Sequence, residues 1–364
     1  MLRAGARHPD ADESASASTA CDDDSQLYAT LNEYLLLENK FQPKLCLPDD
    51  LENGEVTTRD RDGAAHVLRC LKVWYDLPCD VLFNALNLFD RFLTKMKVRP
   101  CHVPCITVSC MNIAIEQHAH DSRTERKVSV EELVSISQSA CTAGDVTRMS
   151  RVIADKLSLA AAVRAVTALH WLQLFRGIVA AACRQLQLVL PALQESELVN
   201  QLEICVCDAR CANARASELA LVILYRKLDE QVQEWTRKVS SEGGSTEQAY
   251  YLNEFAAQLQ AHCNMCPESV WSARRRATRV LQRYDARGAA CACARQRLVW
   301  RLSERTLKVL RPTDRLTSLL PTIEEQHHVQ DQSPPRNRSG SESSENEETS
   351  DWPRSPVLPV YCDN

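Results

Sequence analysis

An all-α fold of two tandem helical domains with disordered ends is what the sequence predicts, and three observations predict it. Glycine supplies 9 of 364 residues, against a usual share of about 7%. Ala, Leu, Arg, Glu and Gln dominate while aromatics are 5%, a helix-forming composition that argues against β-sandwiches, dinucleotide-binding sheets and phosphate-cradling glycine loops. Apolar residues then recur at three- and four-residue spacing from Leu27 onward, which is the helical period.

Residues 1–25, rich in Ser, Ala and Asp, hold too few apolar groups to offset ordering entropy and are expected to be disordered. The first domain is expected over 26–163. Its helices are marked by Ala64, Val67, Leu68, Leu71 and Trp74, then by Leu82, Leu86, Phe89 and Leu93 behind Asp80 as the expected cap. Pro104 suits the first turn of a third helix carrying Val108, Met111 and Ile115. Ser129 and Glu132 form a capping box ahead of Leu133 and Ile136, and Asp145 is expected to cap a fifth helix through Val146, Met149, Ile153 and Leu157. A second domain is expected over 164–325. It opens with a helix from Thr167 to the neighbourhood of Pro191, followed by helices near 195–212, 217–237, 246–262, 267–284 and 290–309. The segment 326–364 is Ser-, Pro- and Glu-rich and is expected to be a disordered acidic tail.

A formal charge of −5 is small for this length and gives no global reason to expect nucleic acid or membrane. No apolar run reaches the roughly 20 residues of a membrane span. The first ten residues lack an apolar signal region, so an intracellular chain with its 17 cysteines reduced is expected. Catalytic signatures are missing from the sequence, and no cofactor is expected. Cys263-x-x-Cys266 and Cys291-x-Cys293 are the metal-like spacing, but the second pair has one intervening residue where a zinc knuckle has two, so structural thiols and no metal are expected. A basic stretch runs through Arg274, Arg275, Arg276, Arg279, Arg283, Arg287, Arg295, Arg297, Arg301, Arg305, Lys308 and Arg311. It lacks aromatic interleaving, so a solvated face or a dock for an acidic partner is favoured over nucleic acid.

The block Phe83 to Pro100, containing Asp90-Arg91-Phe92-Leu93 and a short basic loop, resembles the second helix of a cyclin box. An inward-facing Asp90 must be paired; the cyclin pattern supplies an arginine from the preceding helix, here Arg61. Val108-Ser109-Cys110 and Asp145 to Met149 continue the likeness, while Lys95 to Val98, Leu172 to Phe175 and Leu319 to Ile323 resemble the cyclin G branch in particular. The resemblance covers about 27–325 and implies two stacked five-helix cyclin domains.

Cyclins that activate a kinase carry, by this resemblance, a lysine in the third helix and a glutamate after the Arg-Met of the fifth. Glu116 and Ser150 hold those positions here, among the kinase-facing set Glu116, Gln117, Ser150, Arg151 and Ala154. A lysine-to-glutamate reversal replaces attraction by repulsion. The substrate-docking patch is equally degenerate, with Asp60, Gly63, Ala64 and Val67 in place of the apolar set. The resemblance therefore implies a non-catalytic regulatory protein of nucleus and cytoplasm, touching cyclin-dependent kinases weakly and binding a type 2A phosphatase regulatory subunit in growth and stress control. The competing readings are a conventional kinase-activating cyclin and a transcription-associated adaptor. Ser333 and Ser355, each followed by proline, are candidate phosphorylation sites in a tail suited to control lifetime.

Overall fold

The computed structural model describes residues 10–49, 55–123, 125, 128–159, 164–187, 193–241 and 247–293. Among the described residues every regular element is helical. A leading helix α1 (Asp10–Phe41) precedes a five-helix box of α2 (Thr58–Trp74), α3 (Cys79–Lys95), α4 (Val103–Asp121), α5 (Val130–Ser137) and α6 (Ala143–Leu157). The second half has α7 (Ala168–Gln185), α8 (Glu195–Val206), the single turn α9 (Ala209–Ala212), α10 (Ala216–Ser241), α11 (Glu247–His262) and α12 (Pro267–Cys293). No helix among these residues is long and apolar enough to cross a membrane.

The centre of the first half is α3, which buries Leu82, Phe83, Leu86, Leu88, Phe89 and Phe92 around its circumference, the pattern of a helix packed on more than one side. Leu68, Met111 and Leu133 complete one side of that core, and Ile106, Cys110 and Ile153 the other. The second half is built on Trp171 and Phe175, whose rings lie 5.3 Å apart, with Leu202, Leu221 and Ile223 around them. Helix α1 covers this core: Leu31 is fully buried there and the Tyr34 ring stands edge-on to Trp171 at 5.5 Å. Gly177 permits the approach, because a Cβ at that position would lie 3.1 Å from Leu27.

Helix starts follow local chemistry. Thr57 with Asp60, Ser129 with Glu132 and Thr142 with Asp145 are reciprocal capping boxes, each satisfying two otherwise orphaned donors. Asp145 is therefore the third residue of α6 and not its cap, because the Thr142 hydroxyl reaches the Asp145 N–H first. Asp80 is not a cap either. Pro78 holds that place, and Asp80 sits in the first turn, where a carboxylate meets the positive end of the helix.

Other expected boundaries also move. α1 is drawn from Asp10, and the side chains of residues 10–24, which the composition predicts to be disordered, lie outside the described ones. The expected 195–212 helix is two, because the Asp208 carboxylate accepts from the Arg210 N–H and starts a new turn. α7 stops at Gln185, ahead of Gln187 in a left-handed conformation. α12 runs through residue 290 to Cys293, where the start of a separate helix was expected. Residues 1–9, the rest of the expected 290–309 helix, Leu319 to Ile323 and the tail 326–364 lie outside the described residues.

Candidate protein-docking site

The two halves are clamped through α2, and the clamp starts from a buried ion pair. Arg61, 1% exposed, donates from Nε to Asp90 Oδ1 at 3.0 Å and from Nη2 to Asp90 Oδ2 at 2.8 Å. The α2–α3 pairing expected from sequence is thus present. Nη2 also donates to the Val206 carbonyl at 2.7 Å, so the same guanidinium reaches the end of α8 in the second half. Beside it, Asp62 Oδ1 accepts from the Ala209 N–H at 2.7 Å at the start of α9. One helical stretch further along, Lys72 pairs with the buried Glu203, whose other oxygen is 3.6 Å from Arg69 Nε. Glu203 was not singled out from sequence, although an acid inside Leu202-Glu203-Ile204-Cys205-Val206 is the signal of a buried charge. Glu38 was missed in the same way. From α1 it accepts from the Ser217 N–H at 2.8 Å and from Arg215 at the start of α10, where a carboxylate suits the helix dipole.

With the box held so, α4 and α6 run side by side in the same sense. Ser109 Oγ donates to the Val146 carbonyl at 3.2 Å, and one turn on Asn112 faces Ser150. Asn112 is 2% exposed, and its Nδ2 is 3.1 Å from Glu116 Oε1 and 3.3 Å from Ser150 Oγ. A single amide thus brings together the two positions at which this chain departs from the kinase-activating pattern. Glu116 is exposed, Ser150 is buried, Arg151 is exposed and Ala154 is half-buried on the next turn. Gln117 is turned toward α3, where its Oε1 accepts from Asn84 Nδ2 at 2.7 Å. Glu116 on α4 and Arg151 on α6 are both exposed, and the third-helix position holds no lysine.

On α2 the structure places the positions expected to form the substrate-docking patch as follows. Asp60 is occupied by its capping box, accepting from the Thr57 N–H at 2.9 Å. Ala64 is buried, Val67 is half-buried, and a Cβ added to Gly63 would meet no atom within 4 Å other than its own helical backbone and adjacent residues. A cavity of about 70 Å³ beside Glu38, Phe41 and Asp90 is well below the several hundred Å³ of small-molecule sites.

Cys263 is buried and Cys266 exposed at the α11–α12 corner, with the Cys266 thiol on Glu268. No three metal-ligating side chains converge among the described residues. Of the basic stretch, Arg274, Arg275, Arg276, Arg279 and Arg283 are described on α12; Arg295 to Arg311 lie outside the described residues, as do Ser333 and Ser355.

A helical box locked by an Arg–Asp pair on α2 and α3, followed by a second helical half, defines a regulatory protein of the cyclin class. A family model for the cyclin N-terminal domain matches residues 30–160. Cyclin G of Drosophila melanogaster is 38% identical over 348 residues, covering 92% of this chain and 57% of the fly protein. Cyclin-G1 of Bos taurus is 30% identical, covering 83% of this chain and 96% of that protein, and Cyclin-G2 of Mus musculus is 29% identical over 82% and 81%. A solved viral cyclin from herpesvirus saimiri gives a TM-score of 0.44 at 16% identity, covering 70% of this chain and 99% of that one. The chain belongs to the cyclin G family.

Proposed function

We propose that the chain is a non-catalytic regulatory subunit that engages cyclin-dependent kinases weakly, without strong activation, and serves a type 2A phosphatase regulatory subunit as a scaffold in cell-cycle, growth and stress control, in nucleus and cytoplasm. The observation that carries the weak-kinase part is the α4–α6 seam, where Glu116 stands in the lysine position and a buried Ser150 in the glutamate position, both on Asn112. A kinase surface built to meet a positive and a negative group would find the first reversed and the second absent, and juxtaposed like charges cost several kcal/mol across an interface. The phosphatase part rests on the family likeness. The experiment mixes the full chain with cyclin-dependent kinases and follows histone phosphorylation. Little stimulation is expected from the unmodified chain, and Glu116→Lys with Ser150→Glu is expected to raise kinase binding about tenfold or more, the equivalent of about 1.4 kcal/mol. Robust stimulation by the unmodified chain would show the conventional cyclin reading to be the right one. Affinity purification of the full chain with a panel of type 2A regulatory subunits tests the second part, which fails if none is retained.

A further inference from the structure

The kinase-facing seam leaves the basic stretch without a role, and its described part has a defined geometry. Trp271, Arg275, Arg279 and Arg283 follow one another at four-residue spacing along α12 and all are exposed, Trp271 at 62%. Side chains at that spacing lie on one face of a helix. The Arg275 guanidinium rests over the Trp271 ring at 5.5 Å, which holds the first cation in place. Neighbouring arginines are spent elsewhere: Arg274 pairs with Asp229 at 2.8 Å and Arg276 donates to Ser272. Neither Arg279 nor Arg283 forms an ion pair among the described residues. The exposed acids of α12, Glu268 and Asp285, lie beyond the two ends of the stripe. Three like charges on one helix face repel one another and favour an anionic occupant.

The chain itself contains a matching segment. From Ser339 to Asp351 it has five acids, Glu342, Glu345, Glu347, Glu348 and Asp351, and no base. The 48 residues from 294 to 341 would span about 72 Å even as a continuous helix, against the roughly 21 Å separating Cys293 from Arg279 along α12. Reach is therefore no obstacle, and tethering raises the local concentration of the acidic run to the order of millimolar.

We propose that the acidic segment 341–351 docks on the Trp271–Arg275–Arg279–Arg283 face of α12, so that this surface is occupied by the chain's own tail. Several weak pairs at millimolar effective concentration suffice for such a contact, and each is screened by salt. Arg279 and Arg283 are the core of the dock, and Trp271 supplies a flat apolar edge against which Trp352, next to the acidic run, can pack.

The experiment uses the full chain with donor and acceptor fluorophores attached through non-canonical amino acids at Gln282 and Asn346, which avoids the cysteines. Energy transfer is expected to be high in dilute salt and to fall at about 1 M salt, where the screening length is about 3 Å. Arg275→Glu with Arg279→Glu and Arg283→Glu is expected to lower transfer by about twofold or more, by removing what the tether otherwise concentrates. Adding Glu342→Lys, Glu345→Lys, Glu347→Lys and Glu348→Lys to that variant is expected to restore it, and recovery of transfer shows that the helix stayed folded. Transfer that is the same in all three proteins overturns the proposal, and so does loss without recovery in the charge-swapped chain. Binding of a free acidic peptide or of RNA to the stripe while transfer stays low would assign the face to an external partner instead.

Discussion

Arg61 has no water to turn to. Burial by itself lowers the proton affinity of its guanidinium, and the Asp90 carboxylate more than offsets this, so the group ends above the ordinary arginine range. It is held by two bonds to one carboxylate and a third to a carbonyl of the other half, all from Nε and Nη2, while Nη1 makes no hydrogen bond and lies 3.7 Å from Asp62 Oδ1. Asp90→Ala would leave that charge buried without its counter-ion, at a cost of about 3–5 kcal/mol. The measurement is the urea midpoint at constant m-value. Replacing both partners together by apolar residues of similar size is expected to cost much less, since no stranded charge remains. Unchanged stability of Asp90→Ala would mean that the pair holds neither the box nor the two halves together.

At the scale of elements, the contact between α2 and the α8–α9 corner makes stability depend on pH through Asp62. Desolvation raises its carboxyl to about 6, with Arg61 opposing the rise and Asp208 adding to it. The unfolded chain ionises this group near 3.8, so between about pH 4 and pH 6 the folded chain holds the proton that the unfolded chain has released. Stability from this group is full below the lower value and declines as pH rises through the upper one. Asp62→Asn keeps an oxygen to accept from the Ala209 N–H and removes the titration. Thermal unfolding followed across that window is expected to show a smaller decline in Asp62→Asn than in the unmodified chain. Parallel curves would show that Asp62 does not carry the dependence.

For the whole molecule, the described helices end at Cys293 and 71 residues follow, including Ser333-Pro334 and Ser355-Pro356. The segment is rich in Pro, Glu, Ser and Thr, and we propose that it controls the lifetime of the chain. Phosphorylation at either serine adds about −1.5 to −2 charges and a new set of acceptors. Removal of residues 332–364 is expected to lengthen the half-life of the chain in a cellular chase, and Ser333→Ala with Ser355→Ala to lengthen it in part. Superimposable decay curves would leave the tail with no part in turnover.

The sequence by itself determined the helical class, the order of most helices and that an inward-facing Asp90 needs a partner, while the choice of Arg61 came from the cyclin resemblance. The helices and the burial of Asp90 are written in short-range patterns: a 3.6-residue apolar period, a capping box, an apolar face flanking Asp90. Which neighbouring residue caps was less legible, as Asp80 and Asp145 show, because a cap and the third residue of a helix exchange hydrogen bonds and differ only in backbone conformation. Only the tertiary structure decided that Arg61 also holds the Val206 carbonyl across 145 residues, that Glu38 closes the start of α10, and that Asn112 joins Glu116 to Ser150. The reason is physical: a hydrogen bond between distant segments depends on how two helices pack and turn about their axes, and nothing within either segment's own period records its partner.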